Sequence, residues 1–194
     1  MQILKDEVRE RIIAAAAKEF MRQGYRRAST RRIAQKARIG KSNLYNYFGS
    51  KEELFSALIA PFHESFRAFL DEVTGHVGAE RLGVEAVEDA SRSIAAFIRA
   101  NREAFITIME GSDGTRYQGY KEEVTDSLAR HFAKHLRGKT AGNAALLTRF
   151  VLVVSRLFLE ALLALARRAE TEAELSQTIA LYLKYHMVGM AQFY

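Results

Sequence analysis

The sequence contains no cysteine and a single proline, Pro61, in 194 residues. Without thiols it can form no disulfide, iron–sulfur cluster, cysteine-based zinc site or thiol nucleophile. The single proline and only 12 glycines leave few places where a helix has to stop, while Ala, Leu, Glu, Arg and Lys dominate long stretches. The composition therefore predicts an all-α fold.

Long uninterrupted apolar runs are also missing. The longest apolar tract, residues 150–166, contains Ser155, Arg156 and Glu160, so a membrane span there would bury charge near its middle. The first residues mix acids and bases and lack the apolar region of a signal peptide. We therefore expect a cytoplasmic protein with no membrane partner.

Acidic residues are absent between Phe20 and Lys51, although the whole chain has a net charge of only +6. The basic residues of this window are Arg22, Arg26, Arg27, Arg31, Arg32, Lys36, Arg38, Lys41 and Lys51. A solvated helical face usually mixes both signs of charge. The one-sided window therefore indicates a surface that binds a polyanion.

Apolar periodicity and capping residues predict four helices in the N-terminal part of the chain. The predicted helices are residues 6–23, 30–37, 41–47 and 51 to about 73. Gly24 ends the first helix and Ser29 caps the second. Ser50 and Glu53 form a capping box, in which each side chain accepts from the other residue's backbone N–H, at the start of the fourth. The second and third helices are joined by so short a turn that they have to cross steeply.

The segment from residue 29 to 48 has the pattern of a helix-turn-helix. Small Ala34 lies where the two helices touch, and Leu44 and Tyr47 form the apolar side of the third helix. Its outer side carries Lys41, Ser42, Asn43, Tyr45 and Asn46. These donors and acceptors suit the major groove of DNA.

Three stretches of this region resemble the tetracycline-repressor (TetR) family of transcriptional regulators. They are G24-Y25, R31-R32-I33-A34 and L44-Y45-N46-Y47-F48-G49-S50-K51-E52-E53-L54, and the resemblance covers roughly residues 8–60. It implies an N-terminal three-helix DNA-binding domain at residues 6–66, joined by a long helix to a helical effector-binding and dimerisation domain at residues 67–194. The implied DNA contacts are Ser29, Arg31, Lys41, Ser42, Asn43, Tyr45, Asn46, Tyr47 and Lys51.

Three residues depart from the family's pattern. Arg38 stands where a turn glycine is usual, and Gly40 replaces the usual serine cap of the third helix. Arg32 stands where an acid is common, so we expect it to raise the affinity for DNA of any sequence.

The rest of the chain is predicted to form helices at residues 84–100, 102–110, 117–137, 143–168 and from 171 onward. The last two are apolar over more than one stripe, which supports the homodimer that the resemblance implies through these helices. Their apolar residues include Leu146, Phe150, Val153, Leu157, Phe158, Leu181, Tyr182, Tyr185, Val188, Phe193 and Tyr194. The aromatic residues Phe97, Phe105, Tyr117 and Tyr120 either line an effector cavity or simply pack in the core.

The sequence contains no enzyme signature, and we expect neither a metal nor a cofactor. Three functions stay open at this point. The first is a repressor released from a palindromic double-stranded DNA operator by an unknown small-molecule effector. The second is a ligand-independent, nucleoid-associated architectural protein on the same scaffold. The third is an enzyme or interaction module that retains an inert DNA-binding fold.

Overall fold

The computed structural model describes residues 2–76, 84–136 and 144–191, and all the regular structure in these ranges is α-helical. The helices are α1 (Gln2–Arg27), α2 (Thr30–Lys36), α3 (Lys41–Tyr47), α4 (Lys51–His76), α5 (Val84–Ala100), α6 (Arg102–Glu110), α7 (Tyr120–Leu136), α8 (Ala144–Arg168) and α9 (Glu172–Ala191). The predicted all-α fold is confirmed. Residues 77–83 and 137–143, together with Phe193 and Tyr194, lie outside the described residues. Within the described ranges, no helix combines the length and the apolar character that a membrane crossing needs.

The chain divides into two compact units that differ in one respect from the predicted domains. The first unit consists of Met1–Arg67 and Glu103–Tyr120, and the second of Ala68–Arg102 and Lys121–Tyr194. The sequence suggested a single division between residues 66 and 67. The structure divides the chain at nearly the same place and also joins α6 and the segment after it to the first unit.

A pair of glycines explains how α6 joins the first unit. Gly24 interrupts α1 with φ 67° and ψ 166°, which confirms the predicted stop. Immediately after it, the Tyr25 N–H donates to the Gly111 carbonyl at 2.7 Å. A Cβ added to Gly111 would lie 3.2 Å from the Gly24 Cα and 3.1 Å from the Thr107 oxygen. The two backbones therefore approach too closely for a side chain at Gly111 to fit without a shift.

The first unit has a core of aliphatic and aromatic side chains from α1 to α4 and α6. Its fully buried members include Ile12, Phe20, Ile33, Leu44, Leu54, Phe55, Ile59, Phe105 and Ile108. Phe55 lies at the centre of the aromatic part, with its ring edge-on to Phe20 at 5.0 Å and to Tyr25 at 5.2 Å between centroids. Tyr117 packs on the same ring at 6.3 Å. These contacts hold the segment after α6 on the N-terminal helices.

One buried charge fixes α2 on α1. Glu19 lies in α1 and is fully buried. Its carboxylate accepts from the Ser29 N–H at 3.2 Å, from the Arg32 Nε at 2.6 Å and from the Lys36 Nζ at 3.2 Å. Burial raises the pKa of Glu19, but these hydrogen bonds and the Arg32 charge outweigh it, so the pKa lies below its ordinary value of 4.5.

In the second unit, α9 packs along α5 and α8. Buried aliphatic residues of all three helices form the contact, including Ile94, Ile98, Leu159, Leu162, Leu175, Ile179 and Leu183. Arg102 binds the end of α8, where its guanidinium donates to the Ala169 carbonyl at 2.7 Å and to the Arg167 carbonyl at 3.3 Å. A cation at this position satisfies carbonyls that the helix leaves without partners and complements its dipole.

Replacing Glu19 by Gln tests the buried carboxylate. The amide keeps the shape but loses the charge that three donors share, so we expect the free energy of unfolding at pH 7 to fall by about 1–3 kcal/mol. Because the folded pKa of Glu19 is lowered, its contribution is complete above about pH 4.5 and is lost as the pH falls through the folded pKa. Urea unfolding at pH 7 and at decreasing pH measures both effects.

Glu10→Gln is the matched control, since Glu10 is an exposed acid of the same helix. A Glu19→Gln protein as stable as the control at pH 7 would contradict the role given to this carboxylate.

Candidate nucleic-acid interface

The turn between α2 and α3 is held by backbone hydrogen bonds. The Ile39 N–H donates to the Ala34 carbonyl at 3.0 Å and the Arg38 N–H to the Gln35 carbonyl at 3.1 Å. Arg38 adopts the left-handed conformation, with φ 57°. For a residue with a Cβ this conformation costs about 1 kcal/mol, so the turn keeps the geometry that a glycine usually provides. The departure at Arg38 therefore leaves the helix-turn-helix intact.

Ser29 is the N-cap of α2, as predicted. Its Oγ accepts from the Arg32 N–H at 3.4 Å, and its own N–H donates to Glu19. At α3 the cap is Gly40, which has extended dihedral angles and no side chain to bind the first N–H groups of the helix. The first turn of α3 is therefore not capped by a side chain, and its N–H groups are available to an anion.

The α3 helix has one buried side and one exposed side. Leu44 is fully buried, Tyr47 is half-buried, and Phe48, which follows the helix, is also buried. The exposed residues are Lys41, Ser42, Asn43, Tyr45 and Asn46. This is the division that the sequence predicted. Tyr45 is 40% exposed although it is a large aromatic residue, so its ring and hydroxyl can meet a partner.

Two side-chain contacts organise the exposed surface of α3. The Tyr45 hydroxyl lies 3.3 Å from the Thr30 hydroxyl of α2, and the Asn46 amide donates to the Asn43 side-chain oxygen at 3.5 Å. The first contact links the two helices of the motif on their outer side. The second keeps the two amides next to each other. On binding, both amides can exchange this hydrogen bond for hydrogen bonds to base edges.

Lys51, an implied DNA contact at the start of α4, also holds the loop after α1. Its ammonium donates to the Arg26 carbonyl at 3.2 Å and lies 4.6 Å from the centroid of the Tyr25 ring. Burial lowers the pKa of Lys51 from its ordinary value of 10.5. The residue is thus placed at a helix N-terminus, where anions are favoured, and it also positions the neighbouring backbone.

The cap of α4 differs in one detail from the predicted capping box. The Glu53 N–H donates to the Ser50 Oγ at 3.0 Å, as expected. The Glu53 carboxylate, however, accepts from the Gly49 N–H at 2.8 Å, one residue before the position that the box requires. The carboxylate therefore binds the backbone of the turn that leads out of α3, and not the N–H of the cap residue Ser50.

Arg32 and Lys36 are bound to Glu19, so part of the positive charge of the window is neutralised inside the domain. Both side chains remain partly exposed. The expectation that Arg32 raises the affinity for any DNA has to be reduced, because its guanidinium already has a carboxylate partner. Glu19 itself was not singled out in the sequence. The available signal was its position as the last acid before the acid-free window.

The structure places all the predicted DNA-contact residues in the first unit. Ser29 and Arg31 are at the start of α2, Lys51 is at the start of α4, and the others lie along α3. The four predicted effector residues belong to two different units. Phe105, Tyr117 and Tyr120 are buried in the first unit, and Phe97 stacks on Phe69 in the second at 4.3 Å.

The N-terminal part of the chain matches a known protein family. Residues 12–58 match the sequence profile described as bacterial regulatory proteins, tetR family. The chain is 33% identical over 110 residues to the HTH-type transcriptional repressor NicS of Pseudomonas putida, a match that covers 54% of this chain and 47% of NicS. It is 41% identical over 54 residues to the HTH-type transcriptional repressor SCO4008 of Streptomyces coelicolor, which covers 28% of each protein. Each match thus spans less than half of the relative.

Solved structures extend the likeness to the whole fold. A TetR-like transcriptional regulator from Rhodococcus sp. RHA1 is similar with a TM-score of 0.61, at 22% identity over 94% of this chain and 96% of the other. The ketosteroid transcriptional regulator KstR2 of Mycobacterium tuberculosis has a TM-score of 0.64, at 18% identity over 93% of each chain. At these identities the likeness establishes a common fold.

Proposed function

Because residues 12–58 match the tetR family of bacterial regulatory proteins, we propose that this chain is a dimeric, DNA-binding transcriptional repressor. One observation carries the proposal. The α3 helix buries Leu44 and exposes Lys41, Ser42, Asn43, Tyr45 and Asn46, and the cations Arg31, Arg38 and Lys51 lie at the start of α2, in the turn before α3 and at the start of α4. That combination of a rigid helix, base-reading groups and flanking positive charge is what sequence-specific binding in the major groove needs. Such a protein acts where the chromosome is, in the cytoplasm.

The sign of regulation is inferred from relatives. NicS and SCO4008, to which this chain is similar, are both named repressors. A dimeric protein that occupies an operator can block transcription without any further activity. Repression therefore needs no activity other than operator binding, whereas activation would also need a contact with the transcription machinery.

The dimer is inferred from exposed apolar stripes on the last two helices. On α8 the exposed residues Leu146, Phe150, Val153 and Leu157 are spaced by four, three and four residues. On α9 the exposed residues Leu181, Tyr185 and Val188 are spaced by four and three. This spacing forms one continuous seam on a helix, as in helical bundles. We infer that the two helices pair with the same helices of a second subunit, while Phe158 points into the core of its own unit.

We also infer a small-molecule effector, which would release the repressor from its operator by favouring a conformation with lower affinity for DNA. The support is an aromatic cluster in the first unit. Tyr117 and Tyr120 pack on His63, with centroid distances of 5.5 Å and 4.8 Å. Phe105 and Tyr120 also pack on Phe66, at 6.0 Å and 6.4 Å. An effector that inserts between these rings would separate α4 from the segment after α6.

Selection of bound fragments from genomic DNA tests the function directly. We expect recovery of one or a few sites with twofold-symmetric half-sites whose centres lie about one helical turn apart or slightly more. The selected site would then be assayed for repression of a reporter, and for release in the presence of candidate compounds. Fragments with no common sequence would contradict a specific repressor and favour an architectural DNA-binding protein.

Two substitutions separate positioning from reading. Arg31→Ala removes an exposed cation at the start of α2, so we expect weaker binding to every sequence and a salt dependence shallower by about one unit per half-site. Asn43→Ala removes a group of the reading face, so we expect altered preference at one or two base pairs. Titrations on the selected operator and on single-base variants, at several salt concentrations, distinguish the two. The reverse assignment would show that α3 lies differently in the groove.

Val153→Asp tests the proposed dimer seam. Val153 is 59% exposed in the single chain, so a carboxylate there leaves the subunit folded but would be desolvated in the dimer. We expect dissociation into folded monomers, measured by sedimentation and circular dichroism, and loss of operator binding. Leu152→Asp is the control, because Leu152 is also exposed but lies on the adjacent stripe with Arg149 and Arg156. A Val153→Asp protein that remains dimeric would exclude this interface.

A further inference from the structure

A basic groove lies between α1 and the turn that follows α2. It has a volume of about 380 Å³ and is lined by Arg11, Ala14, Ala15, Lys18, Lys36, Ala37 and Arg38. Its floor consists of alanine methyl groups, and every longer side chain around it is a cation. None of the DNA-contact residues predicted from the sequence lies in this groove, so the reading surface on α3 does not account for it.

The cations of the groove are largely uncompensated. Among the acids of α1, Glu19 is buried and already holds Lys36 and Arg32, and Glu7, one turn before Arg11, forms no ion pair with it in the described structure. Arg11, Lys18 and Arg38 are exposed and form no ion pair within the described part of the chain. Holding like charges close together on a surface is unfavourable unless an anion joins them. The groove therefore has the chemistry of an anion site with at least three available donors.

The spacing of the cations suits a chain of phosphates. Arg11 and Lys18 lie on one face of α1, seven residues apart, which is about 10 Å along a helix. Neighbouring phosphates of one strand lie closer together than this distance, so the two cations can contact different phosphates of the same backbone. Arg38 also lines the groove, three residues before α3 begins at Lys41. The small floor residues leave room for a sugar to approach between the charged groups.

We propose that this groove binds the phosphate backbone of duplex DNA outside the base pairs that α3 reads. The proposal rests on the DNA-binding function proposed above, and it extends the footprint of each subunit. The duplex is favoured over a free phosphate compound because α3 holds neighbouring phosphates at a high effective concentration beside the groove. The contact is independent of base sequence, so it adds affinity and salt dependence without changing which operator is preferred.

Duplexes of two lengths test the proposal. Both contain the operator recovered by genomic selection, but one ends at the outermost base pairs read by α3 and the other continues for about one helical turn on each side. We expect the wild-type protein to bind the longer duplex more tightly and with a steeper salt dependence. The double variant Arg11→Ala/Lys18→Ala should bind both duplexes with the affinity that the wild type has for the short one. Its salt dependence on the longer duplex should be shallower by about two units per subunit.

Lys5→Ala/Arg67→Ala is the matched control. It removes two exposed cations of the first unit that neither line the groove nor belong to the acid-free window, so it should retain the preference for the longer duplex. Equal loss in both double variants, or a groove variant that still prefers the longer duplex, would overturn the proposal. A wild-type protein that binds both duplexes equally well would also overturn the proposal, while leaving the reading function of α3 intact. Failure to discriminate the operator from random sequence would instead refute the repressor itself.

A free phosphate compound as the true occupant gives a different result. Pyrophosphate titrated without DNA would then raise the melting temperature of the wild type and the control variant, but not that of Arg11→Ala/Lys18→Ala. That outcome would show that the groove binds a dissolved anion and not the DNA backbone, and it would overturn the proposal.

Discussion

The position of α3, the proposed DNA-reading helix, depends on a single buried carboxylate. Glu19 lies on α1, and its three donors all belong to the cap or to the body of α2. Because α3 follows α2 after a short, hydrogen-bonded turn, fixing α2 also fixes α3. Removing a carboxylate from water is costly, and only several donors at short distance offset that cost. Here the backbone N–H and two cations provide them, so the charge acts as a specific joint between helices that an apolar contact would orient less strictly.

The same carboxylate divides the basic residues into two groups. Arg32 and Lys36 are turned toward it and serve the fold, whereas Arg31, Arg38 and Lys41 carry no such partner in the described structure and remain available to DNA. Lys51 belongs partly to both groups, since its ammonium holds the Arg26 carbonyl at the edge of the proposed interface. A count of basic residues along the window therefore overestimates the charge that reaches a phosphate. Their internal partners decide the electrostatics of the surface.

Features encoded within one helix or one turn were predictable from the sequence. The stop at Gly24, the cap at Ser29, the bounds of α3 and its buried side follow from local stereochemistry and from periodicity, and the structure confirms them. Features that depend on a partner far along the chain were not predictable. Periodicity shows that Phe105 and Tyr117 belong to apolar faces, but it does not show that these faces pack on Phe62 and Phe55. The joint between Gly24 and Gly111 was missed for the same reason, because a glycine gives no sign of what approaches it.

That joint offers the proposed effector a route to the DNA-binding surface. The aromatic cluster proposed to bind the effector and that surface both belong to the first unit, which includes α6 from Glu103 onward and the segment up to residue 120. Within the first unit, α6 meets the end of α1 backbone to backbone, with the Tyr25 N–H bound to the Gly111 carbonyl. No flexible side chain lies between them to absorb a displacement. A shift of α6 must therefore move the loop between α1 and α2 or break that hydrogen bond. Since Lys51 holds the same loop through the Arg26 carbonyl, either event also disturbs the start of α4 at the proposed interface.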